Sequence, residues 1–369
     1  MKRAILSALI ALSILPIFSQ AAVIAPLATF GGGDGWLAPG EGGYTFLGTV
    51  NNERGLAYGN GHVYLVSRFG GNNVRILDPL TGADLGGLNV TGISGGTFAV
   101  NMAGTSSDGS IYVGNLTTAM SATAPYKVYK WANEAAAPTT VISSATVLAG
   151  SRLGDDMAMI DTGGTTLIAA GFNSNPSIAG NNSYAIADLT PGTINAISFV
   201  GTPPSPGDFR LGITFLDTSH VLGAATPGSY RDSSFLGTNG VLLGTGSLTG
   251  ANPTNGNTER LLAVAMIAGA PILATESTTD AHVSIYDISN PLTPVLLGSA
   301  NNTSGTPTAN GNGVGELAWG PVTGNTATLY AMSTNQGIQA FLVTVPEPVM
   351  LVPMGIALVL LASARKNRN

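Results

Sequence analysis

The sequence predicts an all-β chain folded as a single β-propeller of six four-stranded blades, with a targeting segment at each end. Three observations carry this. A strand–turn–strand pattern recurs roughly every 44 to 57 residues, an interval that suits propeller blades. The apolar runs are short and bounded by Gly, Asn, Asp and Pro, and no long amphipathic helix is legible between the ends. The two termini carry long aliphatic stretches flanked by basic residues.

Residues 1–21 have the form of a secretory signal peptide. Lys2 and Arg3 provide a positive start, Ala4 to Phe18 an apolar stretch, and Ser19-Gln20-Ala21 a small-residue exit for cleavage after Ala21. A buried first helix would need neither the basic start nor that exit.

Residues 22–345 form the body. The clearest unit begins with Arg54 to Tyr58, turns at Gly59-Asn60-Gly61, and returns through His62 to Val66. It continues through Asn73 to Leu77, a turn at Asp78 to Gly82, and a run from Asp84 to Val90. The turn residues supply the positive or preset φ that hairpins require. First strands of comparable units begin near Arg54, Phe98, Asp156, Leu211, Leu261 and Glu316. The last unit has three strands and lacks a fourth. Gly43 to Thr49 precedes the first unit and resembles the fourth strand Pro294 to Gly298, so this N-terminal strand is expected to close the ring. Closure removes sheet edges that would otherwise recruit other chains. Seven blades and a two-sheet sandwich array fit the same pattern.

Residues 346–369 open with Pro346, Glu347 and Pro348. An apolar run from Val349 to Ala364 follows, then Arg365-Lys366-Asn367-Arg368. The run is at the short edge of what crosses a bilayer core, so a transmembrane helix with a cytoplasmic basic tail is expected. A plain membrane anchor would have the same helix and tail. The tripeptide, helix and basic end in this order resemble the PEP-CTERM sorting signal read by exosortase in Gram-negative bacteria. The resemblance covers about the last 25 residues. It implies arrest in the inner membrane, processing by signal peptidase and an exosortase-type enzyme, and routing to the cell surface or extracellular matrix. It also implies a setting of exopolysaccharide and biofilm, with exopolysaccharide or surface proteins as partners. Within the body, Asn51 to Leu116, Gly154 to Asn175 and Gly313 to Tyr330 resemble an uncharacterised propeller-like family of exported bacterial proteins.

Composition narrows the function. Apolar residues make up 44% of the chain, so a large core is affordable without cross-links. Charged residues are only 9%, against about 25% in ordinary soluble domains. There is no cysteine, which excludes disulfides, thiolate metal sites and cysteine nucleophiles. Between Ala22 and Val345 there are 19 acidic and 9 basic residues, a net of −10. That argues against nucleic acid and against docking on anionic lipid.

No catalytic or metal-binding motif is present, and no cofactor is called for. His62, His220 and His282 fall in different units, and no HExxH, GxSxG or phosphate-cradling loop occurs. Asp155 and Asp156 are adjacent in a strand, so they point apart and do not easily share a ligand.

One pattern stands out in a chain so poor in charge. The first strands begin with Glu53-Arg54, Asp155-Asp156, Asp208 and Arg210, Glu259-Arg260, and Glu316. The loops after the second strands hold Arg68, Arg231 and Glu276. A propeller gathers these at one mouth of its central channel. The ring is either a self-satisfied rim or a ligand site on a rigid scaffold. Two functions follow. The favoured one is a non-enzymatic surface or matrix module that binds glycan or protein; the alternative is a propeller hydrolase or lactonase at the channel mouth.

Overall fold

The computed structural model describes residues 21–173, 182–224, 226–249 and 258–347. The expected signal peptide up to Gln20, Pro348 of the expected sorting motif, and the apolar run with its basic tail lie outside the described residues. No helix among the described residues is long and apolar enough to cross a membrane.

The described chain is all-β. Two short strands come first, β1 (Val23–Pro26) and β2 (Trp36–Leu37). Six antiparallel groups follow. The first is β3 (Glu53–Gly59), β4 (His62–Ser67), β5 (Asn73–Leu77) and β6 (Asp84–Gly87). The second is β7 (Phe98–Thr105), β8 (Ile111–Leu116), β9 (Tyr126–Trp131) and β10 (Thr139–Ser144). The third is β11 (Arg152–Asp161), β12 (Thr166–Asn173), β13 (Asn182–Asp188) and β14 (Thr193–Phe199). The fourth is β15 (Gly212–Asp217), β16 (His220–Ala224), β17 (Ser229–Leu236) and β18 (Asn239–Ser247). The fifth is β19 (Glu259–Ile267), β20 (Ala270–Ser277), β21 (Val283–Asp287) and β22 (Val295–Ala300). The sixth is β23 (Gly315–Thr323), β24 (Thr326–Ser333) and β25 (Ile338–Thr344). A two-residue parallel pairing of β14 with β18 joins the third and fourth groups into one eight-stranded sheet.

The sheets are arranged like a propeller. The first strands β3, β7, β11, β15, β19 and β23 pack each against the next, and β23 packs against β3. Between adjacent sheets lie apolar clusters. Tyr184, Phe199 and Phe209 fill the space between the third and fourth groups. Phe30, Leu37, Phe46 and Leu47 fill it between the last and the first, against Leu56, Leu65 and Tyr330. Burying each such side chain contributes about 1.5–3 kcal/mol.

The N-terminal closure needs a correction. Gly43 to Thr49 is not a strand. Gly40, Gly42 and Gly43 have φ of +79°, +64° and +73°, which forces a tight turn there. Phe46 and Leu47 then drop into the core between the last and first groups. The open edge of β25 is taken instead by β1, with Val23 opposite Thr344 and Pro26 opposite Phe341, and by β2, with Trp36 opposite Gln339. The resemblance to Pro294–Gly298 reflected local composition, and glycine spacing overrode it.

Candidate ligand site at the channel mouth

All six first strands start at one face, because each start pairs with the end of its second strand: Glu53 with Ser67, Arg152 with Asn173, Glu259 with Ser277 and Gly315 with Ser333. Near these starts the ladders of β3, β7, β11 and β19 slip register. Such bulges bend a strand and re-aim its side chains. Glycine makes the convergence sterically feasible. A Cβ on Gly212 would lie 2.0 Å from the Arg260 carbonyl oxygen, and one on Gly55 would lie 2.6 Å from the Ala103 nitrogen.

Below the mouth is a channel of about 210 Å³ lined by all six first strands. It holds the carboxyls of Asp156 and Glu316. Glu316 accepts hydrogen bonds from the backbone N–H groups of Leu56 at 2.8 Å and Ala103 at 3.4 Å. Asp156 accepts from Met157 at 2.8 Å and Ile213 at 2.7 Å. Neighbouring groups share no ladder along the channel, so these carboxyls satisfy backbone donors that would otherwise be orphaned. Burial pushes Asp156 up to about 7, with the backbone donors pulling the other way. Burial also holds Glu316 well above the carboxylate range, and the Asp156 charge adds to it. Glu316 therefore sits inside the channel and not on the rim where its sequence position suggested.

At the mouth the charges fall into two arcs. In one, Asp155 is held between two arginines. Nε and Nη2 of Arg152 and Nε of Arg210 each donate to its carboxylate at 2.5 Å. Burial alone would raise the Asp155 pKa, but the bonds and charges of Arg152 and Arg210 outweigh it and hold it low. Outside this triad, Arg231 donates to Asp208 at 3.0 Å and to Thr245 at 2.6 Å. Arg231 belongs to the third strand β17 of its group, not to a loop after the second, and with Asp208 it lines a small pocket apart from the arginine cleft.

The other arc is unmatched. Glu53 is 2% exposed; one carboxylate oxygen accepts from the Gly48 N–H at 2.5 Å and the other has no partner. Burial raises it to about 7. Arg54 is 3% exposed, and its Nε and Nη1 have no hydrogen-bond partner. Burial lowers it to about 10, against the attraction of Asp155, so it stays protonated at neutral pH. Arg68 donates to the Asn51 carbonyl at 2.5 Å and lies 3.6 Å over the Phe98 ring, a cation–π contact. Its Nε and Nη1 also lack partners, and burial lowers it to about 10. Glu259 is fully buried with neither oxygen bonded, and burial raises it to about 7. The Nε of Arg260 lacks a partner too. Glu276, inside β20, accepts from the Gln339 amide at 3.4 Å, and burial holds its pKa well above the carboxylate range against the pull of Gln339 and the Ser333 backbone.

The unmatched arc opens on a cleft of about 810 Å³ whose lining includes Arg54, Arg68, Arg152, Asn72, Asn312 and Phe98. Five of the nine basic residues of the body, Arg54, Arg68, Arg152, Arg210 and Arg260, ring this mouth in a chain of mutual electrostatic influence. The lining of the cleft itself carries Arg54, Arg68 and Arg152 and no acid, so it is basic on an acidic protein. Sequence reasoning left Arg152 out of the candidate set. Its offset from the third first strand was visible, but the bulge that turns it into the cleft was not. No group of three or more metal-ligating side chains exists among the described residues. His62 bonds Glu134 at 2.6 Å and His220 bonds Asp217 at 2.7 Å, in separate groups.

The sheets and their shared mouth place this chain among all-β proteins with a propeller-like body. Residues 44–209 match the family described as a domain of unknown function, DUF4623. A DUF4623 family protein from Bacteroides eggerthii has a similar fold, with a TM-score of 0.61 over 91% of this chain and 78% of that one, at 17% identity. The major Malassezia sympodialis allergen Mala s 1 aligns at a TM-score of 0.48 and 10% identity, over 78% of this chain and 91% of that one. No curated protein matches the chain.

Proposed function

We propose that this protein is an exported, non-enzymatic binding module of the cell surface or extracellular matrix, built as a six-bladed propeller that takes its ligand at the basic mouth. The observation that carries the reading is Arg54. A buried guanidinium with unpartnered donors, beside a cleft of about 810 Å³, is costly unless it serves something outside the fold. The closed run of six first strands supports the blade count, with the eight-stranded sheet read as two blades. Export and sorting rest on the two end segments: cleavage after Ala21, arrest by a C-terminal transmembrane helix, and processing near Pro346, Glu347 and Pro348. The partners in that route are signal peptidase, an exosortase-type enzyme and, transiently, the inner membrane; exopolysaccharide or a surface protein is the partner at the destination. Intact-mass analysis of surface-extracted protein tests the route: recovery of the uncleaved precursor alone would overturn it.

A second reading, a hydrolase or lactonase, draws on the raised carboxyls of Asp156 and Glu316. Both already bind backbone N–H groups of the first strands, which favours a structural role for them. Turnover of a glycan or lactone probe that disappears in Asp156→Asn would replace the binder with the enzyme.

A further inference from the structure

The ligand's chemical class can be argued from the mouth, on the reading that the mouth binds. Arg54 brings a buried guanidinium whose Nε and Nη1 the fold leaves without hydrogen-bond partners, and Arg68 adds unpartnered donors to the same cleft. Guanidinium groups bind carboxylate and sulfate through paired N–H donors, so an oxyanion fits here better than a neutral group. A neutral ligand would leave the unpartnered guanidinium donors without a charge-assisted hydrogen bond.

A second cleft adjoins the first. Residues 68–73 form a loop with Gly70 and Gly71 both at positive φ, at +69° and +132°. Gly71 and Asn72 line the arginine cleft, while Phe69 and Asn73 line a cleft of about 340 Å³ with Tyr44 and Phe46. Tyr44 and Phe46 stack at 5.0 Å with their planes 16° apart, and Phe69 is 44% exposed. An aromatic wall one loop away from an oxyanion site suits a chain of rings that carry acids. A free small anion would use the arginines and ignore the wall.

We infer that the mouth binds an acidic saccharide, with a sugar carboxylate or sulfate on Arg54 and Arg68 and a neighbouring ring against Phe69 across the 68–73 loop. The test is equilibrium binding to the purified full chain at low and high salt. The probes are oligogalacturonate, sulfated dextran oligosaccharide, neutral dextran oligosaccharide and inorganic phosphate. The two acidic oligosaccharides separate carboxylate from sulfate as the source of the anion.

Binding of at least one acidic oligosaccharide is expected, about tenfold or more tighter than the neutral one and weakening as salt rises. Arg68→Gln, on a half-buried side chain that folding tolerates, should weaken it about tenfold, and Phe69→Ala several-fold. Arg54→Met should remove binding while keeping or raising the melting temperature; if that variant does not fold, Arg68→Gln decides. Phosphate binding as tightly as the acidic oligosaccharides, or Phe69→Ala leaving affinity unchanged, overturns the saccharide. Equal binding of the neutral oligosaccharide, lost in Phe69→Ala, overturns the anion but leaves the binding-module reading standing. Cleavage of a probe instead of retention overturns that reading itself. No binding of any probe overturns the inference.

Discussion

The two arcs of the channel mouth have the same ingredients and opposite outcomes. Around Asp155, two arginines and one carboxylate meet within hydrogen-bond distance, and the acid stays ionised because its partners outweigh its burial. Around Glu53, Arg54 and Glu259 the charges are buried as deeply but lack such partners. Burial then dominates, so the acids rise to about 7 and the arginine falls to about 10. One arc locks adjacent first strands together. The other leaves buried charged groups with hydrogen-bonding capacity that the fold does not use.

The difference has a sign that pH reveals. Glu53 and Glu259 have folded pKa values above their ordinary 4.5, so the folded chain keeps protons that the unfolded chain loses. Their stabilisation is complete below about pH 4.5 and is lost as pH rises through about 7. Asp156, raised from 3.8 to about 7, acts in the same direction. Urea unfolding across this window should show stability falling by about 3 kcal/mol or more. Asp155 has the opposite sign: its contribution is present above 3.8 and fades only in stronger acid. A flat profile between pH 4.5 and 7 would mean the second arc is paired after all.

Cutting the paired arc comes next in size. Asp155→Ala strands Arg152 and Arg210 without their shared acceptor, and unfolding should become easier by about 3 kcal/mol. A change under 1 kcal/mol would erase the contrast between the arcs. Glu259→Gln has the reverse effect. It removes a buried charge that nothing balances, so it should stabilise the chain by about 1–2 kcal/mol at pH 8 and leave it unchanged near pH 4. Destabilisation at pH 8 would reveal a hidden partner for the carboxylate. Arg231→Ala should matter least. Its pair with Asp208 is partly solvated, at 31% and 11% side-chain exposure, and thermal melting should register a loss of about 1 kcal/mol or less. A loss as large as that of Asp155→Ala would extend the paired arc outward to β17.

Much of this architecture was readable before any coordinates. The strands fall where turn glycines and apolar runs placed them: Phe98 begins the first strand β7 of its group and His220 the second strand β16 of another. Local chemistry is sufficient there, because a hairpin turn and an alternating strand are both short-range. The site was readable only in part. Glu53, Arg54, Arg68, Glu259 and Arg260 were traceable from strand order. Arg152 needed the bulge between Leu153 and Met157, which depends on how β11 meets β12. Glu316 was misplaced on the rim because its burial depends on donors from β3 and β7, more than 200 residues away.

By itself the sequence determined the all-β character, the recurrence of the units and the acidic body, since each depends on residue type and spacing alone. The tertiary structure decided which strand completes the last group: Val23–Pro26 and Trp36–Leu37 hold the β25 edge, and Gly43–Thr49 turns into the core. It also decided which charges pair. Pairing requires two side chains from different groups to meet within a few ångströms, and that distance is set only when the ring of first strands closes.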